Sequence, residues 1–190
     1  MFAPFLGVLW CLQRLFVKAP SGRQRFNVLA ALHATSHELL TVTNLTYITA
    51  TTVCELLHLL AGVYPGLPIT LVLDNARYQR CMLVQTLAGT LGIELLYLPP
   101  YSPNLNLIER LWKFVKKQCL YSKYYPDSAA FQSAIQDCLA KVPTHYQAEL
   151  ATLLTLRFQT FTAVPVVGDH PPPLVPSASQ VETEVLAMAA

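Results

Sequence analysis

The chain has 190 residues, 53% of them hydrophobic and 13% charged, with a net charge of +2. That is one globular domain's worth of sequence with ample apolar material for a core, which excludes a globally disordered chain. The near-balanced charge excludes a binder that relies on net charge, so any contact with a polyanion must come from a local cluster. Five scattered cysteines, Cys11, Cys54, Cys81, Cys119 and Cys138, include no C-x-x-C pair. They read as reduced thiols rather than a disulfide framework or a thiolate zinc site. The apolar start, MFAPFLGVLWCLQRLFVKAP, lacks a basic leader and is broken by Gln13 and Arg14, so it reads neither as a signal peptide nor as a membrane span. A cytoplasmic chain with no membrane partner is expected.

In chain order, residues 26–34 and 39–44 predict two short strands that form a hairpin around the polar turn at His37 and Glu38. Val53, Leu56, Leu57 and Leu60 have helical spacing over 50–63, ending before Pro65-Gly66. Pro68-ITLVLD is a continuous apolar run that suits a strand buried on both faces and ends on Asp74. A helix over 79–91 closes at Gly92, and IELLYL (93–98) predicts another buried strand. The prolines at 99, 100 and 103 force a loop, followed by a helix from Leu107 to about Leu120, a helix from Asp127 or Ser128, and a last helical segment over roughly 145–160. Residues 162–190, rich in Pro, Ser and Ala, are expected to be a disordered tail outside a domain of residues 1–161.

Strand alternating with helix after residue 68, with a hairpin before it, predicts an α/β fold. Functional groups in such sheets gather at the carboxyl ends of strands. Asp74 stands at such an end, and Glu109 stands in the first turn of the helix after the Pro-rich loop. About 34 residues separate them, a crossover that can bring both carboxylates to one site. Each has a plainer reading. Asp-Asn is a common turn pair. Glu109 can reach back to the N-cap Asn106 or pair with Lys113 one turn on.

LVLDNARYQRC (71–81) and LLYLPPYSPNLNLIERLWKFVKKQ (95–118) resemble the second and third acidic motifs of mariner-type insertion-sequence transposases, in the DDE superfamily; GRQRFNVLAAL (22–32) resembles their early hairpin. The resemblance covers about residues 5–160. It implies an RNase H-like mixed sheet with flanking helices, and a catalytic domain that cuts and joins DNA at transposon ends. Three carboxylates hold two Mg²⁺ ions there, with Mn²⁺ as a substitute. Asp74 and Glu109 match two of the three as catalytic and metal-binding residues.

The family's first aspartate lies on a strand before the hairpin, and this sequence has no Asp or Glu before Glu38. The first catalytic strand is therefore expected to be missing, leaving a neighbouring strand edge open and the protein prone to self-association. Gln79 stands where His is common, and Leu107 where Pro is common. Arg77, Arg110, Lys113, Lys116 and Lys117 are candidate DNA-phosphate contacts, with Lys123 nearby; the plain alternative is a solvated helix face. The four-residue spacing of His33 and His37 falls on a strand and turn, where it does not make a zinc pair. Three functions stay open: a Mg²⁺-dependent transposase subunit, an inactive remnant that binds DNA or an intact transposase, and a related nuclease acting on another substrate. A homodimer is a further expected partner state.

Overall fold

The computed structural model describes residues 10–16, 24–99, 102, 105–158 and 184–189. The described elements begin with a hairpin of β1 (Asn27–His33) and β2 (Leu39–Asn44), followed by α1 (Ala50–Val63), β3 (Ile69–Leu73), α2 (Met82–Leu91) and β4 (Ile93–Tyr97). Then come α3 (Leu107–Cys119), α4 (Ser128–Ala140), α5 (Gln147–Leu153) and β5 (Glu184–Ala189). The mixed α/β reading holds, and most elements fall within a few residues of their sequence-based bounds. The last helix is shorter than expected. The segment predicted as helix 79–91 divides into a 3₁₀ turn at Arg77–Gln79 and α2. Gly92 ends α2 in the left-handed conformation, φ 70°, with its amide bonded back to Ala88 and Gly89, as a C-terminal glycine does. No helix among the described residues is long and apolar enough to cross a membrane.

The five strands run in the order β2-β1-β5-β3-β4. β1 is antiparallel to both β2 and β5, whereas β3 is parallel to both β5 and β4. Both sheet faces are covered. Leu29 and Ala31 of β1 join Ile69, Leu71 and Leu73 of β3 against α1 and α2; Ala30 and Leu32 face the other way, into a core with α3, α4 and α5. Alternation along β1 thus feeds two separate cores, as a strand buried on both faces requires.

Two expectations change at β5. Residues 162–190 were expected to lie outside the fold, yet 184–189 form the middle strand of the sheet. The edge of β1 expected to stand open is paired to β5, from Ala30↔Ala189 to His33↔Leu186. The physical reason is that an unpaired inner edge costs backbone hydrogen bonds, and a short segment from elsewhere in the chain satisfies them.

Candidate functional site

The register fixes where the two carboxylates lie. β3 ends at Leu73, level with Met188 of β5, and Asp74 follows immediately. β1 runs the opposite way, with Ala30 level with Ala189, so its first residues lie at the end of the sheet where β3 stops. Glu109 lines a cavity of about 260 Å³ with Val28 at the start of β1, together with Trp112, Val115, Lys116, Leu120 and Ile135. Asp74 and Glu109 therefore share one end of the sheet, with the end of β5 between the strands that approach them. Asp74 is exposed and Glu109 half-buried.

The turn after Asp74 is tightly built. Asn75 takes φ 75°, a left-handed conformation that Asn tolerates better than most residues. The fully buried Gln79 accepts the Ala76 amide on Oε1 at 3.0 Å. The Tyr97 hydroxyl donates to the Gln79 carbonyl at 3.0 Å, and the Leu98 amide donates to the Leu73 carbonyl at 2.9 Å. The segment carrying Asp74 is thus tied to the end of β4 from both sides. Arg80 lies over the Tyr97 ring, 5.1 Å from its centroid. Tyr78 packs near Asp74: burial pushes its hydroxyl above the ordinary tyrosine range, and the Asp74 charge adds to that. Sequence reasoning marked Gln79 only as a departure from a family pattern; its hydrogen bonds make it the brace of this turn.

Glu109 is presented by α3. The helix starts at Asn106, which is 1% exposed and accepts the Ile108 amide on its side chain at 3.3 Å, an N-cap contact. Leu107, Ile108, Leu111, Phe114 and Val115 bury one face of α3, which directs Glu109 along the flank toward β1.

The basic cluster divides. Glu109, Trp112 and Lys116 lie at helical spacing on one flank of α3 and line the Glu109 cavity. Arg110, Lys113 and Lys117 lie on the adjacent flank, around a second cavity with Phe114, Glu149 and Leu153. The Arg110 guanidinium donates to the carbonyls of Leu153 at 3.4 Å, Thr155 at 2.7 Å and Arg157 at 3.1 Å, and lies 5.2 Å from the Phe158 ring centroid. Its hydrogen bonds hold the chain leaving α5, so the phosphate-contact reading passes to the exposed Lys113, Lys116 and Lys117. Lys123 donates to the Gln118 carbonyl at 2.5 Å, and Arg77 is exposed two residues past Asn75. His33 accepts the Thr35 and Ser36 amides on Nδ1, at 3.1 and 2.9 Å, and so caps the β1–β2 turn.

A hard divalent cation needs oxygen donors. Asp74, Glu109 and the Asn75 Oδ1 atom, a buried acceptor left without a partner, supply oxygens at this end of the sheet. No group of three or more His, Cys, Asp and Glu residues placed to hold a metal occurs among the described residues. This donor set does not make a two-metal site by itself; such a site needs a further carboxylate.

The sequence matches the family described as DDE superfamily endonuclease over residues 13–132, which takes in both acidic motifs. No curated protein matches it at a significant level. Among solved structures, the Mos1 strand transfer complex aligns at 13% identity and a TM-score of 0.47, over 82% of this chain and 50% of that one. An intasome of simian T-cell lymphotropic virus in complex with the PP2A regulatory subunit B56 gamma aligns at 14% identity and a TM-score of 0.38, over 83% of this chain and 59% of that one. The chain thus spans half the length of the first and 59% of the second.

Proposed function

Since the chain belongs to the DDE superfamily endonuclease family, we propose that it is part of the catalytic domain of a mariner-type transposase, acting on DNA with a divalent cation. What supports this reading is that Asp74 follows β3 at the end of the sheet where β1 begins, while Glu109, from a motif far away in sequence, lines a cavity with Val28 near the start of β1. Mg²⁺, or Mn²⁺ in its place, is the expected ion, with Asp74 and Glu109 as two of its protein ligands once a third carboxylate joins them. Bound there, it would polarise a phosphodiester and activate the attacking oxygen.

The residues of this chain divide the remaining work. The hydrogen-bonded turn at Gln79 holds the Asp74 backbone still, and the capped start of α3 does the same for Glu109. Lys116, on the Glu109 flank, is placed to attract a phosphate beside the carboxylates, and Lys113 and Lys117 extend that charge along the helix.

A second reading is favoured by the donor count. With two carboxylates in place, the chain would be an inactive remnant that binds DNA or joins an intact transposase. One experiment separates the two. Supercoiled plasmid is incubated with the chain in Mg²⁺ or Mn²⁺, alone and with an added segment that supplies the aspartate-bearing strand. The catalytic reading expects metal-dependent nicking in the second case, abolished by Asp74→Ala. Absence of nicking in both cases, with salt-sensitive DNA binding retained, assigns the chain to the second reading.

A further inference from the structure

β5 comes last in chain order among the described elements, yet it lies in the middle of the sheet. Two backbone ladders define its place: antiparallel to β1 over residues 186–189 and parallel to β3 over residues 184–188. The stretch 159–183, rich in proline, separates it from Phe158. A strand tied on by a long stretch holds its place as a tethered ligand does, at an effective concentration on the order of millimolar. Main-chain ladders bond any extended segment with free amides, so a strand of other origin that is also tethered can take the same place.

What β5 brings to that place does not complete the site around it. Leu73 is level with Met188, so Ala189 is the β5 position beside Asp74, and it is level with Ala30 of β1. Ala30 is buried in the core that α3 closes, which sets this position on the face of the sheet covered by the helix that carries Glu109. A further carboxylate for a divalent cation therefore belongs at this register position. β5 has alanine there. Its one acidic residue, Glu184, is level with Ile69, four register positions before Leu73 and roughly 13 Å from that end. The sequence ahead of β1 contains no Asp or Glu.

We propose that the place between β1 and β3 is a strand-exchange site: β5 occupies it at rest and yields it to an extended apolar segment of another chain that carries a carboxylate level with Ala30. This rests on the catalytic-domain reading above. The occupant is specified by its chemistry: free backbone groups on both sides for β1 and β3, apolar side chains for the two cores, and one acidic group at the end beside Asp74. The β5 of a second copy meets the first two demands but brings the same alanine to the third. With an acidic segment seated, a third carboxylate joins Asp74 and Glu109 at this end of the sheet. A divalent cation then favours the exchanged state, because that state holds the further ligand and binds the cation more tightly.

The test uses the full chain with a donor strand fused ahead of residue 1 through a flexible Gly-Ser linker. The donor repeats residues 184–189, either unchanged or with Ala189→Asp. Amide exchange read by mass spectrometry separates donor from resident by their flanking residues. With either donor, residues 184–189 should exchange about tenfold faster or more than in the unfused chain, while β1 and β3 keep their protection. Mn²⁺, followed by its electron-spin resonance signal, should bind the chain with the aspartate donor about tenfold more tightly than the chain with the alanine donor, and Asp74→Asn should abolish that gain. Unchanged protection at 184–189 with both donors overturns the exchange, since β5 is then a fixed strand. Lost protection at β1 and β3 overturns it too, because a strand that fits the place keeps both ladders. Exchange with equal Mn²⁺ affinity for the two donors overturns the acidic occupant. Exchange and the Mn²⁺ gain without metal-dependent nicking uphold the strand site and tell against the catalytic reading alone.

Discussion

Arg110 follows Glu109 in sequence, yet its guanidinium turns to the other flank of α3 and gathers three carbonyls at and just beyond the end of α5. Hydrogen bonds from a charged donor contribute about 1.5–3 kcal/mol each when well made, and solvent exposure here reduces that. Arg110→Ala should therefore lower stability by roughly 1–3 kcal/mol in urea melts. Lys113→Gln and Lys117→Gln should stay within about 0.5 kcal/mol of the parent. If the two lysines meet phosphate, each of these changes should also reduce the salt dependence of DNA affinity by roughly one unit of log–log slope. The partners of Arg110 lie more than forty positions away, so no local pattern could separate it from the lysines around it. That Asp74 follows a strand and Glu109 stands in the first turn of a helix was legible because each boundary is written locally: the end of an apolar run and the start of a helix after prolines.

Tyr78 offers a second handle on the same site. Its hydroxyl is raised by burial and by Asp74, so the stability it contributes in neutral form is complete below the ordinary tyrosine range and is lost as pH climbs through the raised value. Asp74→Asn removes one cause, and Tyr78 should then ionise at lower pH. Alkaline difference spectra, with Tyr78→Phe as the blank, would measure it; an unmoved titration would mean that Asp74 does not face Tyr78. A cation bound at Asp74 should move Tyr78 in the same direction, which reports on metal without any cleavage assay.

At the scale of elements, α3 couples a cap, a core face and two charged flanks in thirteen residues. Its amphipathic spacing was readable from the sequence, including the N-cap. Asn106→Ala should cost about 1–2 kcal/mol, because the first-turn amide of Ile108 loses its acceptor in a buried setting. Amide exchange should accelerate first at residues 107–110; uniform acceleration across α3 would argue against a local capping role. β5 was not readable in this way. Its six residues, EVLAMA, carry no alternation and follow a stretch dense in proline. What makes them a strand is pairing with β1 and β3, a non-local condition that neither propensity nor period records.

At the scale of the whole molecule, among the described residues β5 is the strand that joins the β2-β1 hairpin to the β3-β4 pair. Deleting residues 184–190 removes both ladders at once and leaves two inner edges without partners. The shortened chain should lose its cooperative melting transition and bind a hydrophobic dye, with self-association visible in light scattering. A shortened chain that still melts sharply as a monomer would show that the two halves hold together through their helices alone. The overall α/β architecture followed from the order of apolar runs and breakers. The identity of the central strand did not, since chain order and spatial order part company there.

That parting has a consequence for how the protein comes into being. Synthesis proceeds from the amino end, so the hairpin and the β3-β4 pair exist as separate halves until residues 184–189 have been made. Every residue of the candidate site is present long before the strand that brings its two sides together. Until then the nascent chain carries two unsatisfied edges, the state in which chains most readily join the wrong partner. The slowest part of its folding should therefore be the insertion of its last strand rather than the formation of any helix.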